Sequence, residues 1–361
     1  MQRLLIDKAN LNDISSETLS KVPLADNQVL LKIDSFGLSA NNITYAVLGD
    51  AFGYWGFFPA ENNKGVMPVW GFAEVAESTC PGIEVGKRVF GYLPFASHLL
   101  VQASSITANG FMDTHPQRKS ISPVYDQYVF CDTDPGYRPK LESWQITFRP
   151  LFMTSFVLAD FVESLDENID TIILTSASSK TAFGTAMLFR ANENLCNSSG
   201  ERIKVIGLTS SRNTEFVEQL DCYDQVVEYS NIGEIAAEKP AVVLDFAGNK
   251  QTLLSLQKHF ATSSLKSILI GATDVEGRNV EVDEHVNGDV FFAPSQVKLR
   301  QKEWGPAMFF GKYQQAWEMF LNQVQDKIEE VNVIGFDDMQ VQYQKALKGE
   351  INPQQMLILK P

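Results

Sequence analysis

The stretch 169–212 constrains the fold most, because it predicts a strand, a tight turn, a helix and a second strand in succession. The β-branched apolar run at 169–175 is typical of a strand buried on both faces. Small residues fill 176–182, and apolar residues at helical spacing follow at 183–190. A second strand is predicted at 202–209. Because such βαβ units bind a pyrophosphate at their first turn, the stretch predicts a dinucleotide site.

The first turn of this unit departs from the glycine-rich dinucleotide fingerprint. Aligned on G-x-x-G-x-x-G/A, the chain has Ser176, Ser179 and Ala182 at the three positions. Serine can donate its hydroxyl and its amide to phosphate, but it adopts a positive φ less readily than glycine. Lys180 would begin the helix, where its charge opposes the helix dipole unless an anion neutralises it. We therefore predict a phosphate role for Lys180, and the alternative is a solvated turn lysine.

A P-loop is the competing interpretation of the same turn. Ser179-Lys180-Thr181 resembles the end of G-x-x-x-x-G-K-[ST]. Leu174 and Ser179 occupy the two glycine positions of that motif, so an NTPase is disfavoured.

Length and charge bound the class of protein. A chain of 361 residues is long enough for two domains. It has no apolar run of membrane-spanning length and no signal-peptide pattern, so we expect a cytoplasmic protein without a membrane partner. The net charge of −14 disfavours nucleic acid as a partner. A dinucleotide would need a locally positive groove, for which Lys180 and Arg212 are the candidates.

The possible metal ligands are scattered along the chain. The four cysteines form no C-x-x-C pair and the four histidines lie in no metal-ligand motif. Structural zinc needs clustered ligands, so we expect no metal site.

Strands and helices continue to alternate after 212. Strands are predicted at 225–229, 241–248, 266–273 and 289–294. Together with the first two strands they predict a doubly wound parallel sheet. Ligands bind at the carboxyl ends of such strands, and the candidates there are Phe246, Ala247, Gly248, Gly271, Ala272 and Thr273. Ordinary turn chemistry is the alternative for each glycine.

The N-terminal part is rich in predicted strands and contains a crowded aromatic segment at 49–59. That segment is either a core plug under a long loop or an apolar substrate wall. A helix is predicted at 148–160, another at 311–324, and a final helix and strand at 337–349 and 354–360.

The order of these parts resembles the medium-chain dehydrogenase/reductase superfamily, in particular its zinc-independent, quinone-oxidoreductase-like members. The pieces that carry the resemblance are 29–32, Gly37, 71–75, 85–91, 245–248, 270–271 and the closing helix and strand. The phrases at 41–46, 68–71, 149–152 and 176–182 are closer still to a branch catalogued as a domain of unknown function.

The resemblance implies a Rossmann dinucleotide-binding domain at 148–330, inserted into a β-rich, GroES-like catalytic domain formed by 1–147 and 331–361. Where quinone reductases have N-x-x-D-x-Y, this chain has Ser39, Asn42 and Thr44, with Tyr45 one place late. Without a metal, a hydroxyl must polarise the hydride acceptor, so Tyr45 is the predicted catalytic residue, with Thr44 and Asn42 as helpers. Thr154 lies where family members have a threonine beside the nicotinamide.

The end of the second strand selects the cofactor. NAD-binding units have an Asp or Glu there, whereas this strand ends in Thr209-Ser210-Ser211-Arg212 with no carboxylate until Glu215. Two hydroxyls and a guanidinium suit a 2′-phosphate, so we predict NADPH. The alternative is that a serine caps the next helix and Arg212 is solvated. The predicted cofactor-binding set is Thr154, Ser176, Ser178, Ser179, Lys180, Thr181, Thr209, Ser210, Ser211, Arg212, Phe246, Ala247, Gly248, Gly271, Ala272 and Thr273.

The predicted function is hydride transfer from NADPH to a small apolar carbonyl, enone or quinone. The alternative is a catalytically inactive dinucleotide-binding or sensor protein of the same fold. The apolar strand at 289–293 also predicts a homodimer, since an uncovered apolar strand edge invites association.

Overall fold

The computed structural model describes residues 1–118, 122–165, 168–271 and 287–361. They form two compact units, one of Met1–Pro150 with Glu330–Pro361 and one of Leu151–Glu329. No helix in these described ranges is long and apolar enough to cross a membrane.

The first unit consists mainly of antiparallel strands. Its strands up to residue 130 are β1 (Gln2–Asp7), β2 (Ile14–Thr18), β3 (Gln28–Leu38), β4 (Lys64–Gly65), β5 (Pro68–Ser78), β6 (Arg88–Pro94), β7 (His98–Thr107), β8 (Gly110–Asp113) and β9 (Gln127–Phe130). Six of them are hydrogen-bonded in the order β3-β5-β6-β9-β8-β7, and β7 pairs again with β3. These six strands therefore close on themselves, and α1 (Ala40–Val47) follows β3 directly.

The aromatic segment at 49–59 packs in the interior of this unit. Tyr54, Trp55, Phe57 and Phe58 are all buried. The Phe57 ring centroid lies 5.1 Å from that of Tyr92 in an edge-to-face arrangement. This packing favours the core interpretation over the substrate wall.

The second unit alternates strands and helices as the sequence predicts. The boundary between the units falls within α2 (Glu142–Glu163). The elements that follow are β10 (Thr171–Leu174), α3 (Lys180–Ala191), β11 (Lys204–Thr209), α4 (Thr214–Gln219), β12 (Gln225–Glu228), β13 (Ala241–Asp245), α5 (Lys250–His259), β14 (Leu265–Leu269), β15 (Asp289–Val290), α6 (Ala293–Trp304) and α7 (Pro306–Val324).

The strands of this unit form one parallel sheet in the order β12-β11-β10-β13-β14-β15, which confirms the predicted parallel sheet. Ile172, Ile173 and Leu174 are all fully buried in β10. Since successive side chains point to opposite faces, both faces of this strand are covered. Leu253 and Leu256 of α5 pack with Ile173 on one face.

The predicted strand at 289–294 is wrong beyond Val290. Ala293 begins α6, and Pro294 lies in the first turn of that helix. Proline is well suited to this position, because its missing N–H would have no partner within the helix. The preceding residues, Val290, Phe291 and Phe292, favour a strand, so strand propensity alone does not reveal where this helix begins.

The end of the chain returns to the first unit. It contributes β16 (Glu329–Ile334), α8 (Phe336–Leu347) and β17 (Gln355–Lys360). β17 pairs antiparallel with β3, with Leu357 opposite Leu38. The predicted final helix and strand are thus confirmed.

Candidate functional site

The strand order of the second unit reverses between β10 and β13, and their carboxyl ends lie side by side. The Thr175 hydroxyl donates to Asp245 Oδ1 at 2.7 Å and accepts from the Phe246 amide at 2.9 Å. The Gly248 amide donates to Asp245 Oδ2 at 3.0 Å. This buried network ties the two strand ends together, at the kind of reversal where open α/β sheets bind their ligands.

The serine-rich turn, residues 175–179, joins β10 to α3 and contains a left-handed residue. Ser176 has φ of 48°, a region that non-glycine residues rarely adopt. Its amide donates to the Tyr229 hydroxyl at 2.7 Å. The next residue, Ala177, donates to Leu208 O at 2.9 Å and accepts from the Tyr223 hydroxyl at 2.9 Å. Hydrogen bonds from other segments therefore hold a conformation that glycine would adopt by itself.

A glycine on the neighbouring strand makes room for this turn. A Cβ atom at Gly207 would lie 2.9 Å from Ala177 Cβ and 3.0 Å from the Tyr223 ring. The close approach that the fingerprint achieves with turn glycines is thus achieved here through β11. Sequence analysis missed Gly207, although a glycine inside a predicted strand is a recognised sign of close backbone approach.

Lys180 is the first residue of α3, as predicted. Ser179 caps the helix, its hydroxyl accepting from the Ala182 amide at 3.4 Å. Burial lowers the pKa of Lys180 to about 8. A desolvated ammonium at the positive end of a helix is electrostatically unfavourable, and a bound anion would relieve that cost.

The end of β11 lies next to the turn. The side-chain Nδ2 of Asn213 donates to the Ser178 hydroxyl at 3.1 Å, which connects the turn to the segment after β11. Ser211 and Arg212 are exposed and Ser210 is partly exposed. Thr209 is buried, and within the described ranges its hydroxyl has no hydrogen-bond partner. An orphaned buried hydroxyl at this edge is consistent with a polar ligand there.

The structure adds a carboxylate to this edge. Glu228, the last residue of β12, lies opposite Thr209 in the parallel register. Its carboxylate accepts from the Thr214 hydroxyl at 3.4 Å. As predicted, no carboxylate follows Thr209 along the chain before Glu215. In the folded protein, however, the neighbouring strand β12 places the Glu228 carboxylate beside the end of β11.

The predicted residues after β13 and β14 are close together where the structure describes them. Phe246 and Ala247 are buried, and Gly248 has φ of 74°. A Cβ atom at Gly271 would lie 2.4 Å from Phe246 O, so this position requires glycine. Ala272 and Thr273 lie outside the described residues.

Two further cofactor candidates, Thr154 and Thr181, lie on helices of the same unit. Thr154 is a partly exposed residue of α2. Its neighbour Ser155 donates to the Thr181 carbonyl at 2.8 Å, in the first turn of α3. The α2 segment with Thr154 is therefore attached to the helix that begins with Lys180.

The three catalytic candidates Asn42, Thr44 and Tyr45 lie on α1 in the first unit, and all three are buried. Asn42 Oδ1 accepts from the Ser39 amide at 2.8 Å, and its Nδ2 donates to Pro68 O at 3.3 Å. This amide side chain therefore serves as a helix cap.

Tyr45 belongs to a buried group of tyrosines. Its ring centroid lies 4.6 Å from that of Tyr54 and 5.7 Å from that of Tyr92. Burial raises the pKa of the Tyr45 hydroxyl, so the hydroxyl keeps its proton at neutral pH.

As for metal ligands, no group of three or more His, Cys, Asp or Glu side chains in the described ranges could hold an ion.

Comparison with known proteins identifies the fold. A family model described as a protein of unknown function, DUF2855, matches residues 36–352. CurA from Vibrio vulnificus in complex with NADPH has a TM-score of 0.64 at 11% sequence identity, covering 100% of this chain and 99% of that chain. The yhdH oxidoreductase from Salmonella enterica in complex with NADP has a TM-score of 0.52 at 13% identity, covering 100% of both chains. No curated protein matches the sequence significantly. At these identities the structural likeness establishes the fold, and the predicted resemblance to medium-chain dehydrogenases/reductases is confirmed at that level.

Proposed function

The chain belongs to the DUF2855 family, and from that premise we propose that it is a zinc-independent, NADPH-dependent oxidoreductase that transfers hydride to a small apolar carbonyl, enone or quinone. In this proposal the second unit is a Rossmann dinucleotide-binding domain and the first is a GroES-like catalytic domain. The complexes of CurA with NADPH and of yhdH with NADP, which share the fold, support the choice of cofactor.

One observation carries the proposal. The serine-rich turn has a left-handed residue and leads into a capped helix N-terminus at a strand-order reversal, next to a lysine whose pKa burial lowers to about 8. A helix N-terminus and a cation together bind phosphate. An anion bound beside Lys180 would offset the free-energy cost of desolvating its ammonium group.

The residues present fit the parts of the dinucleotide in turn. Ser178, Ser179, Lys180 and Thr181 would hold the pyrophosphate. Ser210, Ser211 and Arg212, which lie at the end of β11, would hold the 2′-phosphate, with the Thr209 hydroxyl beside them. The set at 246–248, with Gly271 and Thr154, would surround the nicotinamide half, which supplies the hydride when bound.

The hydride acceptor needs a proton donor, and we propose Tyr45 for this role. Burial raises the pKa of this hydroxyl, so it stays protonated and would polarise the acceptor by donating a hydrogen bond, although it is a weaker acid than an exposed tyrosine. Asn42 caps the helix that carries Tyr45 and would act by fixing that helix. Thr44, on the same helix, would assist Tyr45.

A titration of NADPH and NADH against the unmodified protein and Arg212→Glu tests the cofactor. Loss of a guanidinium–phosphate interaction should weaken NADPH about ten- to hundred-fold and NADH much less. Lys302→Glu, the same charge change at an exposed residue of α6, should leave both affinities unchanged. Equal weakening of both cofactors, or no NADPH binding by the unmodified protein, would contradict the proposal.

Turnover is tested by NADPH oxidation across a panel of quinones, enones and small aldehydes. Oxidation with at least one acceptor is expected. Tight NADPH binding without turnover on any acceptor would instead favour a dinucleotide-binding sensor of the same fold.

We also propose a homodimer that forms through the β15 edge. Val290 in this strand is 62% exposed, and β15 lies at one end of the strand order. An exposed apolar strand edge favours pairing with a second copy. Light scattering at micromolar concentration should give the dimer mass, and a monomer would contradict this part of the proposal.

A further inference from the structure

We propose that Tyr223 and Tyr229 are positioning residues that hold the serine-rich turn in its phosphate-binding conformation, a role that glycine would otherwise fill. The inference rests on the proposed dinucleotide function and extends it to two residues outside the turn. The two tyrosines flank β12, with Tyr223 before it and Tyr229 directly after it. One strand therefore brings both hydroxyls to the turn.

Tyr229 acts on the left-handed residue itself. Its hydroxyl accepts the Ser176 amide at 2.7 Å, and Ser176 is the residue with φ of 48°. Glycine adopts such a φ without steric cost, whereas serine needs its surroundings to hold it there. The hydrogen bond to Tyr229 supplies that constraint at the position where the fingerprint would have its first glycine.

Tyr223 acts on the next peptide group. Its hydroxyl donates to Ala177 O at 2.9 Å, while the Ala177 amide donates to Leu208 O at 2.9 Å. The Tyr223 ring also lies against Gly207, where a Cβ atom would come within 3.0 Å of it. Burial raises the pKa of Tyr223 well above its usual value, so the hydroxyl remains a donor at all physiological pH values.

Two consecutive residues of the turn are thus fixed from outside. A turn held in its binding conformation before the ligand arrives loses less conformational entropy on binding. The tyrosine hydroxyls should therefore determine dinucleotide affinity without contacting the dinucleotide. Their effect should depend on the residue at 176.

The test compares NADPH affinity in four proteins: the unmodified chain, Tyr229→Phe, Ser176→Gly, and the double variant. Tyr229→Phe should weaken NADPH about tenfold, the effect of one net hydrogen bond. Ser176→Gly sets the reference for the double variant, because glycine adopts this conformation without the hydrogen bond from outside the turn. The double variant should recover most of the affinity lost in Tyr229→Phe. Such rescue is not expected if the tyrosine only supports the fold.

Two additional variants complete the design. Tyr223→Phe should also weaken NADPH, which keeps the proposal testable if Tyr229→Phe fails to fold. Tyr343→Phe is the matched control: it removes a tyrosine hydroxyl that donates to a backbone oxygen, Leu11 O at 2.9 Å, in the first unit. It should leave NADPH affinity unchanged.

The proposal is overturned if both tyrosine variants bind NADPH like the unmodified protein, or if Ser176→Gly does not rescue Tyr229→Phe. Either result would leave NADPH binding by the unmodified protein intact. If the unmodified protein does not bind NADPH, the proposed function fails, and urea unfolding of the same four proteins decides whether Tyr229 holds the turn. Non-additive changes in unfolding free energy would then support the hydrogen-bonded turn, and additive changes would overturn it.

Discussion

Helix α1 of the first unit and the serine-rich turn of the second carry similar small polar side chains, but they use them differently. On α1, the Asn42 amide is buried and bonded to two backbone groups. In the turn, Tyr223 and Tyr229 hold the backbone from outside, and Ser178 and Ser179 remain partly exposed. The difference teaches that a short polar residue keeps part of its surface exposed where hydrogen bonds from other segments help to maintain the local backbone.

The largest effect, on the free energy of unfolding, is expected for Asp245→Ala, which removes the carboxylate that accepts from Thr175 at the start of the turn. Its loss leaves the buried Thr175 hydroxyl and the partly buried Gly248 amide without their acceptor. Each unsatisfied buried donor costs about 1–3 kcal/mol, so unfolding in urea should show a loss of about 3 kcal/mol or more. Asp326→Ala, at an exposed residue of the turn after α7, is the control and should change stability by less than about 0.5 kcal/mol. A loss below about 1 kcal/mol for Asp245→Ala would mean that the turn does not depend on this network.

The second-largest effect is expected when the charge of Lys180, at the end of the turn, is removed. Lys180→Met should weaken NADPH about ten- to hundred-fold at pH 7, whereas Lys204→Met, at the opposite end of β11, should not. The pKa of Lys180 in the free protein is about 8, and a bound phosphate would raise it. Affinity should therefore be full below pH 8 and fall by up to about tenfold per pH unit above it. The same pH profile in Lys180→Met would assign the titration to another group.

Asn42→Ala tests the other side of the comparison. Loss of the cap should lower stability by about 1 kcal/mol, measured by urea unfolding. NADPH affinity should not change, because Asn42 acts on α1. Asn332→Ala, at an exposed position of β16, is the control and should affect neither quantity. A change in NADPH affinity for Asn42→Ala would contradict a purely structural role for its side chain.

The smallest effect is expected for Glu228→Gln. Removing this negative charge beside the end of β11 should tighten NADPH about two- to fivefold, the magnitude of a partly exposed charge interaction. NADH, which lacks the 2′-phosphate, should bind as before. Glu215→Gln, at an exposed residue of α4, should change neither affinity. Equal tightening of both cofactors would place the 2′-phosphate away from Glu228.

Local patterns predict much of the second unit. The buried strand β10 and the helix that begins at Lys180 follow from runs of neighbouring residues, so periodicity and capping chemistry are sufficient to find them. The parallel sheet follows from the alternation of strands and helices. Each of these inferences depends on residues that are close in sequence.

The residues that sequence analysis missed act across long separations. Tyr229 lies far along the chain from Ser176, and Glu228 comes beside Thr209 only through the pairing of β12 with β11. A tyrosine hydroxyl that binds a backbone amide has no characteristic sequence spacing, since tertiary packing alone brings the two groups together. On α1, the types of Asn42 and Tyr45 suggested chemistry, but their burial could not be read from the residue types.

The pairing of β17 with β3 has a consequence for the order in which the chain can fold. The second unit is one continuous segment, so its parallel sheet can form once residues up to 329 have left the ribosome. The sheet of the first unit gains β17 only after residues 355–360 are synthesised, because Leu38 pairs with Leu357. Contacts between residues so distant in sequence also form more slowly than local contacts do. During synthesis, residues 151–329 can therefore complete their sheet before the first unit gains β17.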